Sequence, residues 1–158
     1  MDIIWTPWRY EYVKSVDDRE GCIFCEKAQE KNDRENLIIY RGERCFAILN
    51  LFPYTTGHLM IAPYEHTGTI EEVDPDILTE MMVLAQRSMA AIREAFGSEG
   101  FNLGINISRV AGAGIKDHVH LHLVPRWAGD NNFMAVIAET RVLPRTLDEV
   151  WLALKDKI

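Results

Sequence analysis

The sequence predicts an α+β domain, an antiparallel β-sheet with one long helix and a C-terminal helix. Three observations lead to this class. Short segments rich in β-branched and aromatic residues follow one another over residues 36–62 and are typical of strands. Apolar residues then repeat at helical spacing over residues 77–96. Two more strand-like segments and a helix-start signal complete the chain, and short connections between strands favour antiparallel pairing.

A length of 158 residues fits one domain over residues 1–158, large enough to bury a core without disulfides. Residues 1–20 contain Trp5, Pro7 and Trp8, and are too aromatic for a free tail. We expect this N-terminal segment to pack against the body or a dimer partner. A direct part in base binding is the alternative.

The predicted sheet begins with a hairpin. Residues 36–41 and 44–50 are its strands, joined by a turn at Gly42 and Glu43. A third strand follows at residues 58–62, after a loop in which Gly57 stands where the chain must turn back.

Both predicted helices carry end signals. Asp74 is an N-cap candidate, Pro75 suits the first helical position, and Gly97 follows the last apolar residue of the long helix. Strands at residues 101–107 and 118–124 come next. Thr146 and Glu149 then have the spacing of a capping box, which predicts the start of the C-terminal helix.

Composition limits the classes of partner. The chain has 17 basic and 24 acidic residues, a net charge of −7. This balance argues against nucleic acid or an anionic membrane as the main partner, since such binding needs basic patches. No apolar run has the length of a membrane span, and the start lacks the features of a signal peptide. We therefore expect a cytoplasmic protein.

Histidines alternate with apolar residues over residues 118–124. Because successive strand side chains point to opposite faces, His118, His120 and His122 should share one face. The apolar residues between them, which should face the core, are Val119, Leu121 and Leu123. At about 3.3 Å per residue the outer histidines are roughly 13 Å apart, too far to share one metal and better suited to a phosphate chain. A purely structural role, or a metal site of His118 and His120 alone, are the alternatives.

The alternating run and the sequence that follows it resemble a known family. The run is similar to the signature of the histidine triad family of nucleotide hydrolases and transferases. Residues 125–133, PRWAGDNNF, resemble its diadenosine polyphosphate phosphorylase branch, as does the start at residues 5–9, WTPWR. The resemblance covers nearly the whole chain and implies the histidine triad fold, assembled as a symmetric homodimer.

The resemblance implies three catalytic histidines. His120, the middle one, matches the nucleophile that receives the nucleotidyl group, and neutral imidazole suits attack on phosphorus. His122 would contact the α-phosphate oxygens, and His58 matches a further histidine beside them. Donors at these positions would stabilise charge on the equatorial oxygens.

A second group of residues is expected to bind substrate. Glycines after the fourth strand allow backbone N–H groups to approach a phosphate, as in the family's phosphate loop, although a plain flexible turn is the alternative. Asn50 is expected at the ribose hydroxyls, Asn106 at the phosphates, and apolar residues beside Asn50 around the adenine; both asparagines could instead satisfy their own backbone. The remaining residues of this group are Gly112, Gly114, Ile48, Leu51 and Phe52.

The cysteine pair Cys22 and Cys25 suits metal binding or redox chemistry in a reducing compartment. His66 and His118 complete a Cys₂His₂ set, and several family members bind a structural zinc at these four places. We favour a structural Zn²⁺ over plain thiols. A thioredoxin-like role is disfavoured because the pair does not lie in a βαβ pattern.

The resemblance predicts an enzyme that cleaves dinucleoside polyphosphates, such as diadenosine tetraphosphate, through an adenylyl-histidine. Inorganic phosphate is the favoured acceptor and water the alternative, with Arg126 and Lys116 as candidate phosphate partners. The chemistry needs no cofactor, and Mg²⁺ accompanying the substrate is left open. An adenosine phosphoramidase or hydrolase of the same family, and a nucleotide-binding signalling protein, are the other hypotheses.

Overall fold

The computed structural model describes residues 21–130 and 143–158. Their centre is a five-stranded antiparallel sheet in the order β1-β2-β3-β5-β4. The strands are β1 (Ile38–Arg41), β2 (Cys45–Leu49), β3 (Leu59–Pro63), β4 (Gly100–Ile105) and β5 (Leu121–Arg126). The predicted α+β class and antiparallel pairing are confirmed.

Four α-helices accompany the sheet in the described residues. They are α1 (Ile23–Gln29), α2 (Asp33–Asn36), α3 (Pro75–Phe96) and α4 (Leu147–Leu154). Both predicted helix starts are confirmed: the Asp74 side chain accepts from the Asp76 N–H, and Thr146 and Glu149 form a reciprocal capping box. The long helix ends at Gly97, whose φ of 64° is the left-handed conformation that glycine adopts without strain.

One face of the sheet packs on α3 and α4. Val119, Leu121 and Leu123 point into this core and are at most 5% exposed, as their alternation with histidines predicts. The opposite face is partly covered by α1, whose Phe24 packs with Ile38, Phe46, Ile48 and Ala62. The histidines therefore lie on the face that α3 leaves open.

The histidine strand begins later than predicted. Residues 118–124 were expected to be extended throughout, but β5 starts at Leu121. The pairing of β3 with β5 stops at Ile61 and Leu121, and β3 ends at Pro63, which has no N–H to continue the ladder. The backbone before Leu121 has other partners: the Val119 N–H donates to Thr67 O at 2.6 Å.

Helix α1 was not predicted. It carries no capping side chain at Cys22, and Arg41 of β1 stabilises its other end. The Arg41 guanidinium donates to the carbonyl oxygens of Ala28 at 2.6 Å and Glu30 at 2.7 Å. Because the last carbonyls of a helix lack helical partners, this cation fixes α1 against β1.

The expectations for residues 1–20 and 131–133 lie outside the described residues and stay predictions. In the part of the chain that the structure describes, no helix is long and apolar enough to cross a membrane.

Candidate active site and metal centre

His120 is held as a neutral imidazole of one tautomer. The residue is 3% exposed, and its Nδ1 lies 2.8 Å from the carbonyl oxygen of His118. A carbonyl only accepts hydrogen bonds, so Nδ1 carries the proton and the lone pair is on Nε2. Burial lowers the pKa of His120 from the ordinary 6.5, which favours this neutral form. The residue has the protonation state that a nucleophile needs.

His58 and His122 lie beside His120 and are joined by a hydrogen bond whose donor and acceptor can be assigned. The backbone N–H of Tyr54 donates to His58 Nδ1 at 3.1 Å, so a neutral His58 carries its proton on Nε2. That nitrogen lies 3.0 Å from His122 Nδ1 and donates to it. The proton of a neutral His122 is then on Nε2. Since the ring centroids of His120 and His122 are 4.8 Å apart, a hydrogen-bond donor lies next to His120.

Two aromatic rings at this site were missed by the sequence analysis. Phe24 of α1 packs on His118 and His120, with ring centroids 5.1 and 4.9 Å apart. Tyr54 lies against His58 at 4.6 Å and nearly parallel to His122 at 6.3 Å. The only signal for Tyr54 in the sequence is its place in the loop just before His58.

The residues expected around the nucleoside divide into buried and exposed ones. Ile48 is 3% exposed and packs in the cluster that contains Phe24 of α1, and its expected place beside an adenine stays a prediction. Leu51 and Phe52 are 56% and 51% exposed. Asn50 is buried, its side-chain oxygen accepts from the Phe52 N–H at 2.9 Å, and its amide nitrogen lies 3.5 Å from His58 Nδ1.

The glycine loop makes a turn of its own. Gly112 has a φ of 91°, and its N–H donates to the Arg109 carbonyl at 2.9 Å. The turn itself thus uses this donor, and the expectation that backbone N–H groups of the loop bind a phosphate stays a prediction. Gly114 is half-buried two residues further on. Asn106 is half-buried, one position beyond the β4–β5 pair of Ile105 and Leu121, on the side of His120.

Arg126 and Lys116, the candidate partners of a phosphate, each form an ion pair with a carboxylate of the protein. The Arg126 guanidinium forms a bidentate pair with Asp130 and donates to Asn102 Oδ1 at 2.9 Å. Lys116 lies 3.6 Å from Asp117 in an exposed ion pair. Arg126 thus fixes the loop after β5 to β4.

Cys22, Cys25, His66 and His118 come together as the spacing and resemblance predict. One ligand atom from each lies within 4.8 Å of all the others. Cys22 Sγ is 3.2 Å from His118 Nδ1, while Cys25 Sγ is 3.4 Å from His66 Nδ1 and 3.5 Å from His118 Nδ1. Helix α1, the turn after β3 and the start of the histidine segment each contribute to this cluster.

The donor set fits a tetrahedral zinc ion. Zn–S and Zn–N bonds imply ligand atoms about 3.4–3.8 Å apart, close to the distances within the cluster. His118 Nε2 donates to the Pro63 carbonyl at 2.9 Å, so its Nδ1 lone pair faces the thiols. Without a cation, burial and the neighbouring Cys22 raise the pKa of the Cys25 thiol to about 11. A bound metal ion would instead stabilise the thiolate.

His58, His120 and His122 cluster on one face of an antiparallel sheet. This combination of fold and site defines a class of protein, and comparison with known protein families identifies that class. The HIT domain family model matches residues 31–129. The chain belongs to the histidine triad (HIT) family.

Individual relatives agree with this assignment. An AP-4-A phosphorylase from Mycobacterium tuberculosis is 34% identical over 151 residues, covering 91% of this chain and 77% of the relative. An adenylylsulfatase, HINT3, from Arabidopsis thaliana is 32% identical over 125 residues, 75% of this chain and 62% of that protein. The crystal structure of a Zn-bound histidine triad family protein from Mycobacterium smegmatis superposes with a TM-score of 0.69 at 30% identity, over 85% of this chain and 91% of that one.

Proposed function

We propose that this protein is a nucleotidyl transferase that cleaves dinucleoside polyphosphates, such as diadenosine tetraphosphate, at the α-phosphate. One observation carries the proposal. His120 is buried, neutral and fixed with its lone pair on Nε2, next to the donor pair His58 and His122. This arrangement suits in-line attack on phosphorus and a covalent adenylyl-histidine.

The proposed first step exchanges one bond for another. His120 Nε2 attacks the α-phosphorus, a P–N bond forms, and the bond to the bridging oxygen breaks. The electron pair of the broken bond leaves with the remaining nucleoside polyphosphate. His122 donates from Nε2 to an α-phosphate oxygen, and His58 supports it through the 3.0 Å hydrogen bond. In the second step an acceptor oxygen attacks phosphorus, the P–N bond breaks, and neutral His120 is restored.

The proposed substrate-binding roles rest on how exposed each side chain is and on where it lies relative to the histidines. Leu51 and Phe52 are exposed at the end of β2 and are proposed to contact the adenine. Asn50 is proposed at the ribose with its present bond to Phe52 opened or shared. Asn106 and the Gly114 N–H are proposed at the phosphates, with Gly112 shaping their turn.

The acceptor is proposed to be inorganic phosphate. The support comes from the relative described as an AP-4-A phosphorylase, which matches most of this chain. We expect diadenosine tetraphosphate and phosphate to yield ADP and ATP, at a rate that rises with phosphate concentration, because the adenylyl group passes to phosphate. Chromatography of the nucleotides, with labelled phosphate traced into ADP, measures this. AMP and ATP formed at a rate independent of millimolar phosphate would make the enzyme a hydrolase.

The same assay tests the alternatives. Adenosine 5′-phosphoramidate consumed much faster than any dinucleoside polyphosphate would indicate a phosphoramidase. Tight nucleotide binding without turnover in any mixture would indicate a signalling protein.

A structural Zn²⁺ is part of the proposal. The four ligand atoms within 4.8 Å support it, as does the Zn-bound neighbour among solved structures. When bound, the ion would crosslink α1 to the segment before β5. Cys22, Cys25, His66 and His118 would hold it, and it takes no part in the transfer.

The pH dependence of turnover follows from the lowered pKa of His120. A nucleophile acts in its neutral form, and burial keeps His120 neutral below the ordinary pKa of 6.5. We expect kcat/KM at saturating phosphate to hold as pH falls through 6.5 and to decline only at more acidic values. Initial rates between pH 4 and pH 8 in buffers of constant ionic strength measure the acid limb. A midpoint above pH 7 would contradict this assignment.

A homodimer is also proposed. Among the described residues β4 has one neighbouring strand, β5, and Leu103 on β4 is 39% exposed. A second copy could pair along the remaining edge, which proteins otherwise protect.

A further inference from the structure

We propose that Tyr54 is a positioning residue, whose aromatic ring holds His58 and His122 in the orientation that the transfer requires. The proposal rests on the proposed function, since it gives a task to a residue beside the same histidines. Tyr54 is half-buried and lies outside the three core clusters of the described residues. Its ring contacts His58 and His122 of the site.

The backbone of Tyr54 is fixed from both sides. Before it, the Phe52 N–H donates to Asn50 Oδ1 at 2.9 Å. After it, the Thr55 hydroxyl donates to the Pro125 carbonyl at 2.8 Å, which ties the loop to β5. These bonds direct the Tyr54 N–H to His58 Nδ1 at 3.1 Å. The peptide group of Tyr54 therefore sets which nitrogen of His58 carries the proton.

The aromatic ring of Tyr54 packs against the same two histidines. It packs against His58 with centroids 4.6 Å apart and planes at 45°, and against His122 at 6.3 Å and 17°. The two imidazoles are themselves tilted by 47°, and one hydrogen bond joins them. His58 is hydrogen-bonded at both ring nitrogens, and the flat surface of Tyr54 packs on its ring and on that of His122, which restricts the rotation of both imidazoles. An aliphatic side chain of similar size would fill the space beside His58 and His122 without offering a flat surface on which the two imidazoles can pack.

Two substitutions separate the ring from the hydroxyl group. Tyr54→Phe keeps the ring, and we expect its kcat to stay within about threefold of wild type, since positioning is unchanged. Tyr54→Leu keeps an apolar side chain without the ring. We expect its kcat on diadenosine tetraphosphate to fall roughly 10- to 100-fold, with KM changed by less than about threefold, because misplaced catalytic groups slow the chemical step.

A second measurement does not depend on turnover. Long-range ¹H–¹⁵N spectra of protein labelled in its histidine rings report the tautomer of each imidazole. We expect His58 to carry its proton on Nε2 in wild type, Tyr54→Phe and Tyr54→Leu, because all three keep the backbone N–H of residue 54. His122 should carry its proton on Nε2 in wild type and Tyr54→Phe, and should become a tautomer mixture in Tyr54→Leu as its ring turns away from His58. A wild-type protein that cleaves no nucleotide but shows these spectra would sink the proposed function and leave the role of Tyr54 standing.

Other outcomes overturn the role. Wild-type kcat in Tyr54→Leu would show that the ring is not needed. An equal loss in Tyr54→Phe and Tyr54→Leu would assign the effect to the hydroxyl group. A raised KM with unchanged kcat would make Tyr54 a substrate contact. A His58 proton on Nδ1 in wild type would contradict the geometry itself.

Discussion

Replacement of His120 by asparagine is expected to lower turnover of diadenosine tetraphosphate by roughly 10⁴-fold or more, because the change removes a covalent pathway and not one hydrogen bond. Asparagine keeps a polar side chain of smaller size but has no ring nitrogen with a nucleophilic lone pair. The fold should survive, since the core face of β5 is untouched. Steady-state rates, with nucleotide binding measured by calorimetry, provide the test.

His122→Asn is the matched comparison, since it removes a histidine from the same alternating run. It is expected to lose a donor to the phosphate, at a cost of roughly 10²–10³-fold in kcat, while the nucleophile remains. Mass spectrometry of enzyme quenched during turnover without phosphate should find the adenylyl group on His120. A label on His118, or a smaller loss in His120→Asn than in His122→Asn, would overturn the assignment.

Loss of the metal site is expected to have the largest effect on stability. Wild-type protein should contain one zinc per chain, and Cys22→Ser should contain none, because two cysteines and two histidines surround one point. The lost ion should lower the free energy of unfolding by about 4 kcal/mol, since the site forms only in the folded chain. For a chain of this size that is a fall of roughly 8–16 °C in Tm.

Cys45→Ala is the control for this experiment. Cys45 is fully buried beside Glu80 and lies outside the metal cluster. Its replacement should lower stability modestly through lost packing and leave the zinc content at one per chain. Elemental analysis and thermal melting, with and without a chelator, supply both readouts. Cys22→Ser with an unchanged Tm, or metal-free wild type from zinc-replete growth, would rule the site out.

Local patterns in the sequence were sufficient for much of the fold. The faces of residues 118–124 follow from strand geometry, and the helix ends at Asp74, Gly97 and Thr146 follow from side chains within three residues of each end. These signals act over short distances, so neighbouring residues alone determine them.

The features that local patterns did not predict depend on contacts between residues far apart in the sequence. Helix α1 is short and uncapped at Cys22, and it depends on Arg41 and on Phe24 packing under the sheet. Short helices in proteins gain most of their stability from such packing. The glycine loop is similar: its spacing could not reveal that the Gly112 N–H is taken by Arg109.

For the candidate site, the sequence predicted the histidines but not the aromatic residues that pack on them. Alternation with apolar residues marked His120 and His122, the resemblance added His58 and the roles, and the structure brings His58 to His122 across 64 positions of sequence. Tyr54 was missed because an aromatic residue in a loop has no periodicity to mark it. The packing of Ile48 with Phe24 was not expected either, because the sequence does not show which face of the sheet α1 covers.

The hydrogen bond between His118 and His120 has a consequence for how such sites can diverge. The candidate metal cluster includes the ring of His118, whereas His120, the proposed nucleophile, bonds to the main-chain carbonyl of His118. Every amino acid at position 118 offers that carbonyl. A lineage could therefore exchange this histidine and abandon the metal while keeping the tautomer of His120. Metal binding and the proposed reaction therefore depend on residues two positions apart, yet either property can be lost without the other.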